Sequence, residues 1–367
     1  MHWAARNGRL RTLKWLAQQP GVSLTAVDDS GWQAVHEAAA AGQLTTLQWL
    51  AAQGVSLTSA SAHGTPLHQA AMQGRLEVVQ WLAGQPGIDL TAADAQLGQA
   101  VHVAAMGGHL SLLAWLAGCP GVSLTAADSG GRQPVHGAAA TGQLAALQWL
   151  AQQPGVSLTA MSSGGLQPLH YAAGYSGDLP MLAWLAGQPG VSLTALMSDG
   201  RQAVHLAAAQ GKLSVLQWFA SQPGISLTAP SAAGQQALHY ATSAGQLAVL
   251  EWLAAQPGVS LQARDADGWQ PVHIAAAGGK LAVLRWLAAQ PGVSLTATAV
   301  RGTSAVHFAA ANGRLAVLQW LATQPGVSLL AADDDGDLPA DYAASAAADG
   351  EGEGDLDTLH LLLNAGA

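Results

Sequence analysis

The chain has 367 residues, of which 50% are hydrophobic and 10% are charged, and its formal net charge is −9. Ten acidic residues and no Lys or Arg follow residue 332, so residues 1–332 hold 13 bases against 12 acids and are nearly neutral. Nucleic-acid binding needs clustered bases, and a membrane span needs about 18 consecutive apolar residues. The sequence has neither, and we expect no nucleic-acid partner and no membrane span.

Cysteine usage and the N-terminal segment bear on the compartment. The single cysteine, Cys119, excludes an internal disulfide framework and is typical of a reducing environment. The first ten residues, MHWAARNGRL, contain no apolar stretch of the kind that a secretory signal needs. We therefore expect an intracellular protein, in the cytoplasm, with the nucleus as the alternative.

Two residue types recur at a fixed spacing along the chain. Histidines recur every 32 to 35 residues, most often 34, at His2, His36, His68, His102, His136, His170, His205, His239, His273 and His307. Tryptophans recur in step with them, at Trp15, Trp49, Trp81, Trp115, Trp149, Trp184, Trp218, Trp252, Trp286 and Trp320. Two sets in phase over such a length identify an internal repeat of about 34 residues.

The elements within one repeat follow in chain order from the unit that contains His136. The short Ala-rich stretch after this histidine predicts a small first helix, and Gly142 ends it. Leu144, Leu147 and Leu150 form an apolar stripe that predicts a second helix with one buried face. The Gln-Pro-Gly sequence at 153–155 stops the second helix, and an extended loop with a tight turn leads into the next unit.

Neither helix of such a unit can bury its apolar face alone, so the units must stack on one another. The sequence predicts an all-α solenoid of helix-turn-helix units with short β-hairpin or turn loops, about ten repeats with a C-terminal cap. We expect residues 1–332 to form the array, its first repeat incomplete, and residues 333–367 to form an acidic capping repeat with an insertion. Asp341 falls where the next histidine is due, so the repeat phase persists into the cap.

One repeat carries a family resemblance. Its sequence Thr65-Pro66-Leu67-His68-Gln69-Ala70-Ala71 resembles the T-P-L-H-x-A-A signature of ankyrin repeats, and the resemblance extends over essentially the whole chain. It implies hydrogen bonds from the Thr and His of this signature that tie the hairpin to the helix. Most other repeats carry Gln in place of the Thr, and Gln has both a donor and an acceptor that could substitute. The resemblance also implies that partner proteins bind on the concave face, with no cofactor.

Three sequence features suggest sites, and we interpret each as structural. One histidine per repeat cannot converge on a single metal ion, since zinc needs several ligand atoms within about 2.1 Å. The tryptophans share the phase of the buried leucines and are predicted to belong to the core. Asp349, Glu351 and Glu353 resemble the start of a calcium loop, but its twelfth position is His360 rather than Glu. The sequence shows no catalytic motif and predicts no metal.

The residues predicted to bind a partner lie at the tips of the turns, where side chains differ from repeat to repeat. They are Trp32, His63, Gln96, Arg132, Leu166, Arg201, Gln235, Trp269 and Arg301. Trp32 and Trp269 lie beside a turn glycine, outside the apolar stripe. Each is either an anchor for a partner or packed against the next turn.

The hypothesis for function is a monomeric, non-catalytic scaffold that binds protein partners. An alternative is the targeting or substrate-recruiting arm of a larger enzyme or adaptor, whose active domain precedes Met1. A third and weaker interpretation, an enzyme in its own right, requires titratable residues that converge in a pocket.

Overall fold

The computed structural model describes residues 1–94, 98–348 and 353–365. The chain divides into two compact units, Met1–Val191 and Ser192–Ala367. Within each unit, pairs of short antiparallel helices follow one another, joined by loops. The described residues contain no β-strand, only three isolated β-bridges within the turns. The predicted all-α repeat solenoid is confirmed.

The helices come in pairs, a first and a second helix in each repeat. The first unit contains α1 His2–Arg6, α2 Leu10–Leu16, α3 Ala34–Ala41, α4 Leu44–Ala52, α5 Pro66–Met72, α6 Leu76–Ala83, α7 Ala100–Met106, α8 Leu110–Ala117, α9 Pro134–Ala140, α10 Leu144–Ala151, α11 Pro168–Tyr171, a π-helical turn at Ala172–Ser176, and α12 Leu179–Ala186. The second unit contains α13 Ala203–Ala209, α14 Leu213–Ala220, α15 Ala237–Ala244, α16 Leu247–Ala254, α17 Pro271–Ala277, α18 Leu281–Ala288, a 3₁₀ turn at Val300–Gly302, α19 Ala305–Ala311, α20 Leu315–Leu321, α21 Pro339–Ala348 and α22 Glu353–Ala365.

The first helix of a repeat begins before the histidine rather than after it. In α9, Gln133 is the N-cap in extended conformation and Pro134 is the first helical residue. Proline is well suited to this position because its fixed φ is helical and its missing N–H would have no helical partner. His136 therefore lies in the first turn of the helix, where its ring can turn back to the N-cap.

The second helix supplies the larger part of the core. Leu147 and Leu150 of α10 are fully buried, and they face Val135 and the small Ala138 and Ala139 of α9, which are also fully buried. Alanine on the first helices allows the backbones of successive repeats to approach closely. Burial of one leucine side chain stabilises the fold by about 1.5–3 kcal/mol relative to its exposure.

A Gln-Pro-Gly sequence ends most second helices, and its glutamine caps the helix with its side chain. The Gln153 amide donates to the carbonyl of Trp149 at 3.1 Å, one of the four carbonyls that a helix C-terminus leaves unpaired. Cys119 occupies the corresponding place after α8, and its thiol donates to the Trp115 carbonyl at 3.4 Å. The cysteine is thus a substitution of the capping glutamine.

Within each unit, the repeat histidines connect successive repeats. Nδ1 of His136 accepts from the main-chain N–H of Gln133 at 2.9 Å, so Nε2 carries the proton and donates to the carbonyl of Ala160 at 2.9 Å, in the following loop. Equivalent pairs occur in both units, at His36, His102, His205, His239 and His273. The histidine therefore links hairpin, helix and the adjacent repeat.

In several repeats the residue before the second helix makes a further link to the preceding repeat. The Arg75 Nε–H donates to the carbonyl of Ala40 at 2.9 Å, and Arg314 contacts the carbonyl of Ala277 in the same way at 2.9 Å. Both carbonyls lie at the C-terminal end of the preceding first helix, where the helix dipole favours a cation.

Candidate functional site

The turn tips are closed by a short network of main-chain and side-chain hydrogen bonds. In one tip the N–H of Asp128 donates to the carbonyl of Arg132 at 2.9 Å. The Asp128 carboxylate accepts from the N–H groups of Gly130 and Arg132 at 2.9 and 2.8 Å. Asp28 and Asp265 organise their tips in the same way. Each such tip presents its variable side chain from a fixed backbone.

Neighbouring tips within a unit are joined by main-chain hydrogen bonds. The N–H of Ser163 donates to the carbonyl of Gly130 at 2.9 Å, and the N–H of Ala266 donates to the carbonyl of Ala233 at 3.0 Å. This approach requires glycine at position 131, where φ is +71° and a Cβ would lie 2.7 Å from the N atom of Ser163. The tips therefore stack in register.

The position directly after each histidine also varies and faces the tips. In the first unit these residues are Trp3, Glu37, Gln69, Val103, Gly137 and Tyr171, and in the second Leu206, Tyr240, Ile274 and Phe308, with Tyr342 after Asp341. Sequence reasoning missed this set, although its position in the repeat and its variation were both visible. We call the tips together with the exposed residues of the first helices the tip face.

Several tip side chains pack on the first helix of the next repeat. The Trp269 ring lies 4.0 Å from the ring of Phe308, centroid to centroid. The Arg201 guanidinium lies 5.6 Å from the centroid of the Tyr240 ring, a cation–π contact. Trp32 makes an edge contact with His63 of the following tip at 6.4 Å. Trp32 and Trp269 stay half-buried. Their positions are therefore compatible with local packing and also with a role as binding anchors.

The structure places the other predicted site residues along the tips as well. His63 and Arg301 are exposed, and Arg132, Leu166, Arg201 and Gln235 are half-buried. Gln96 lies outside the described residues. These side chains are distributed one to a repeat rather than gathered in one pocket.

Three depressions on the tip face each include one predicted residue. Trp32 borders a groove of about 390 Å³ with the polar Arg6, Glu37 and Gln73. Arg132 borders a small notch, and Arg301 borders a groove of about 540 Å³ that also contacts Asp337, Asp341 and Tyr342. The three depressions therefore differ in the chemistry of the residues that line them.

The charged side chains at the last tips are paired with other residues of the same protein. The Arg301 guanidinium is paired with Asp335. The Tyr342 hydroxyl donates to the Asp333 carboxylate at 2.7 Å, which raises the pKa of Tyr342 to about 12 and lowers that of Asp333. Asp341 replaces the histidine by accepting from the N–H of Leu338 at 2.7 Å. This acceptor explains why the repeat phase survives the loss of the histidine.

The prediction that the tryptophan set belongs to the core is wrong. Trp15 is 59% exposed, and the other nine are half-buried on the second helices. The leucines on either side, such as Leu147 and Leu150, already fill the space between the helices, so the indole lies at the margin of the core.

The repeat histidines are committed to structure. Both nitrogens of His136 make hydrogen bonds to the main chain, so neither is available to a metal ion. Burial lowers its pKa, which favours the neutral imidazole. Among the residues that the structure describes, no group of three or more potential ligands could hold a metal ion. The sequence resembling a calcium loop falls at Asp349 and Glu351, outside those residues.

The thiol of Cys119 has the environment of a capping group. It is half-buried and makes the contact with the Trp115 carbonyl described above. Burial raises its pKa, which disfavours the thiolate that nucleophilic chemistry needs.

The repeat geometry agrees with the comparison with known protein families. The sequence matches the family model for ankyrin repeats, which represents three copies, over residues 1–94, 101–197, 169–265, 204–299 and 255–333. The chain belongs to the ankyrin-repeat family. No curated protein matches it. Ankyrin repeats are general protein–protein interaction modules, typically in non-catalytic scaffolds. Within the described parts of this ankyrin-repeat chain, no helix is long and apolar enough to cross a membrane.

The ankyrin signature shows how the Thr-to-Gln departures are accommodated. The Thr65 hydroxyl donates to Nδ1 of His68 at 2.8 Å, and Ser304 does the same for His307 at 2.9 Å. The main-chain N–H of the same residue also donates to Nδ1, from Ser304 at 3.1 Å and, where Gln replaces Thr, from Gln133 at 2.9 Å.

Proposed function

We propose that this ankyrin-repeat protein is a non-catalytic, monomeric scaffold that binds partner proteins on the tip face, the concave face of the family. The observation that carries the proposal is the contrast between variable and fixed positions. The residue after the histidine passes from Glu37 through Gly137 to Phe308, whereas the buried leucines and histidines of the repeats hardly change. Such variation on a fixed frame is typical of recognition.

The backbone of the tip face supports the same role. Tips such as that of Asp128 are held by hydrogen bonds before any partner arrives, so little conformational entropy is lost on binding. Half-buried Trp32 and Trp269 offer aromatic area of the kind that dominates interface energies. The variety of side chains favours a protein partner over a repetitive polymer.

The test is a capture experiment with two sets of substitutions. The full chain is expressed with an affinity tag, and partners are captured from cells after light crosslinking. One variant carries Ala at Trp32, Arg132, Arg201 and Trp269. A matched control carries Ala at four exposed glutamines of the second helices, Gln48, Gln80, Gln217 and Gln319.

The first variant is expected to lose the partners that the wild type captures, and the control is expected to retain them. Thermal unfolding of all three proteins distinguishes loss of binding from loss of fold. Retention of every partner by a folded first variant contradicts the proposal. Loss of the same partners by the control places binding on the second helices instead.

A further inference from the structure

One repeat departs from the others at the position after its histidine. Gly137 stands where the neighbouring repeats carry Val103 and Tyr171, and it is the one glycine of that set. Its backbone is helical, so no special conformation requires a glycine. A Cβ at this position would lie 2.7 Å from Cγ of Met106, so the Met106 side chain takes part of the space that a larger residue would need.

A notch in the tip face lies beside Gly137. Gly137 and Ala140 line the notch together with Met106, Tyr171 and the tip residue Arg132. Its volume is about 50 Å³, and its lining is mostly apolar. At about 30 Å³ for each water-sized group, one or two such groups fit in this volume, which matches the end of one aliphatic side chain.

A second departure lies next to the notch. The insertion of one residue converts Ala172–Ser176 into a π-helical turn, and such turns occur frequently at functional sites. This turn places the Tyr175 ring in a stack on Tyr171, with 5.6 Å between centroids, and leaves Tyr175 49% exposed. The wall of the notch is thus extended by an exposed aromatic ring.

The surroundings of the notch restrict the charge of an occupant. From Gln133 to Gly177 the chain has no Asp, Glu, Lys or Arg. Arg132 and Asp128 also line the notch, but they are paired with each other at 2.7 Å. A charged group placed against this surface loses hydration without gaining a partner. An uncharged segment has no such cost.

We propose that the notch over Gly137 holds one aliphatic side chain of an uncharged segment of a partner protein, with Tyr175 packing beside it. This inference rests on the proposed function, because it gives the tip face one specific anchor point. The two departures of the array, the glycine at 137 and the π-helical turn at 172–176, both serve this anchor.

A phage-displayed library of random peptides tests the notch without a known partner. The library is selected on the purified full chain, and the enriched peptides are synthesised and titrated against variants. Gly137→Val fills the notch with the side chain that Val103 carries at the equivalent position. The added Cβ approaches Cγ of the flexible Met106 to 2.7 Å, and Met106 must move slightly. Ala145→Val, on the exposed side of α10, is the matched control.

The expected peptides share a Leu, Ile, Met or Val anchor with uncharged neighbours. Gly137→Val is expected to raise their Kd by about tenfold to a hundredfold, since the anchor can no longer be buried. Ala145→Val is expected to leave Kd within about twofold, and Tyr175→Ala to weaken binding as well. Circular dichroism confirms that each variant is folded.

The opposing results separate the two proposals. If no selected peptide distinguishes Gly137→Val from the wild type, the notch is not an anchor site. Peptides that ignore Gly137→Val but are lost on Trp32→Ala or Trp269→Ala overturn the notch alone and leave the tip face as the binding surface. Peptides that ignore all three substitutions overturn the notch and also count against the tip face.

Discussion

His136 allows the strength of the link between successive repeats to be measured. Its Nδ1 accepts from Gln133 at 2.9 Å, and its Nε2–H donates to Ala160 at 2.9 Å. The side chain is fully buried, so water has no access to either partner in the native protein. The substitution His136→Ala removes both hydrogen bonds and leaves a cavity beside Tyr171.

The magnitude follows from the two partners that are left behind. An unsatisfied buried group costs about 1–3 kcal/mol, and partial entry of water reduces that cost, so we expect a loss of about 2–4 kcal/mol. His136→Asn provides an intermediate case. Its side-chain oxygen can accept from Gln133 as Asp341 accepts from Leu338, while the bond to Ala160 is lost. We expect about half the loss for this variant.

Urea unfolding of the full chain, followed by hydrogen exchange of its peptic fragments, measures both effects. Exchange is expected to accelerate in the fragments that contain Gln133 and Ala160, the two sides of the link. His63→Ala, at an exposed tip, is the control and is expected to change stability by less than about 0.5 kcal/mol. A loss below about 1 kcal/mol for His136→Ala, or equal effects of the Ala and Asn variants, refutes this reasoning.

Three further predictions concern pH, backbone and core. Burial lowers the pKa of eight repeat histidines below the usual 6.5, so the unfolded chain takes up protons first as the pH falls. The free energy of unfolding is therefore highest above about pH 6.5 and decreases below it, by up to about 1.4 kcal/mol per pH unit for each histidine. Urea titrations between about pH 7.5 and 5.5 measure this decrease. Gly131→Ala is expected to cost about 1–2 kcal/mol because of its positive φ and the approach to Ser163, whereas Gly130→Ala, at a negative φ, costs less in the same thermal melts. Leu150→Ala, at a fully buried site, is expected to lose about 2–5 kcal/mol in urea unfolding, and a smaller loss counts against the assigned core.

The repeat architecture was predictable from the sequence because each position recurs about ten times. Spacing alone placed the second helix, and the structure gives α10 at Leu144–Ala151, with Gly142 in the left-handed region before it. The start of the first helix was not predicted correctly. An Ala-rich stretch signals helix, but Pro134 at its first position and Gln133 as N-cap set its true beginning.

The tryptophan set shows where periodicity is insufficient. An indole and a leucine that share a period do not share a depth, since Leu147 and Leu150 occupy the space between helices and the large ring stays at its edge. The volume of the side chain decides how deeply it is buried here, and the hydrophobic pattern of the sequence carries no information about volume.

The candidate site was predictable in part. The tips were identified from their variation, but the contact of Trp269 with Phe308 joins residues of different repeats and depends on how the repeats stack. The position after the histidine could have been found by the same comparison of repeats that identified the tips. The notch at Gly137 could not have been found from the sequence, because its walls include Met106 and Tyr171 from the flanking repeats.

Hydroxyl-radical footprinting of the chain, alone and with a captured partner, tests the location of binding most directly, because tryptophans lie both at the tips and on the second helices. The proposal predicts that a partner reduces oxidation of tip-face aromatic residues such as Trp32, Trp269 and Tyr175. It predicts no change at Trp15, Trp81 and Trp252 on the second helices. Protection of the second-helix tryptophans with unchanged tip-face residues would contradict the proposed binding face.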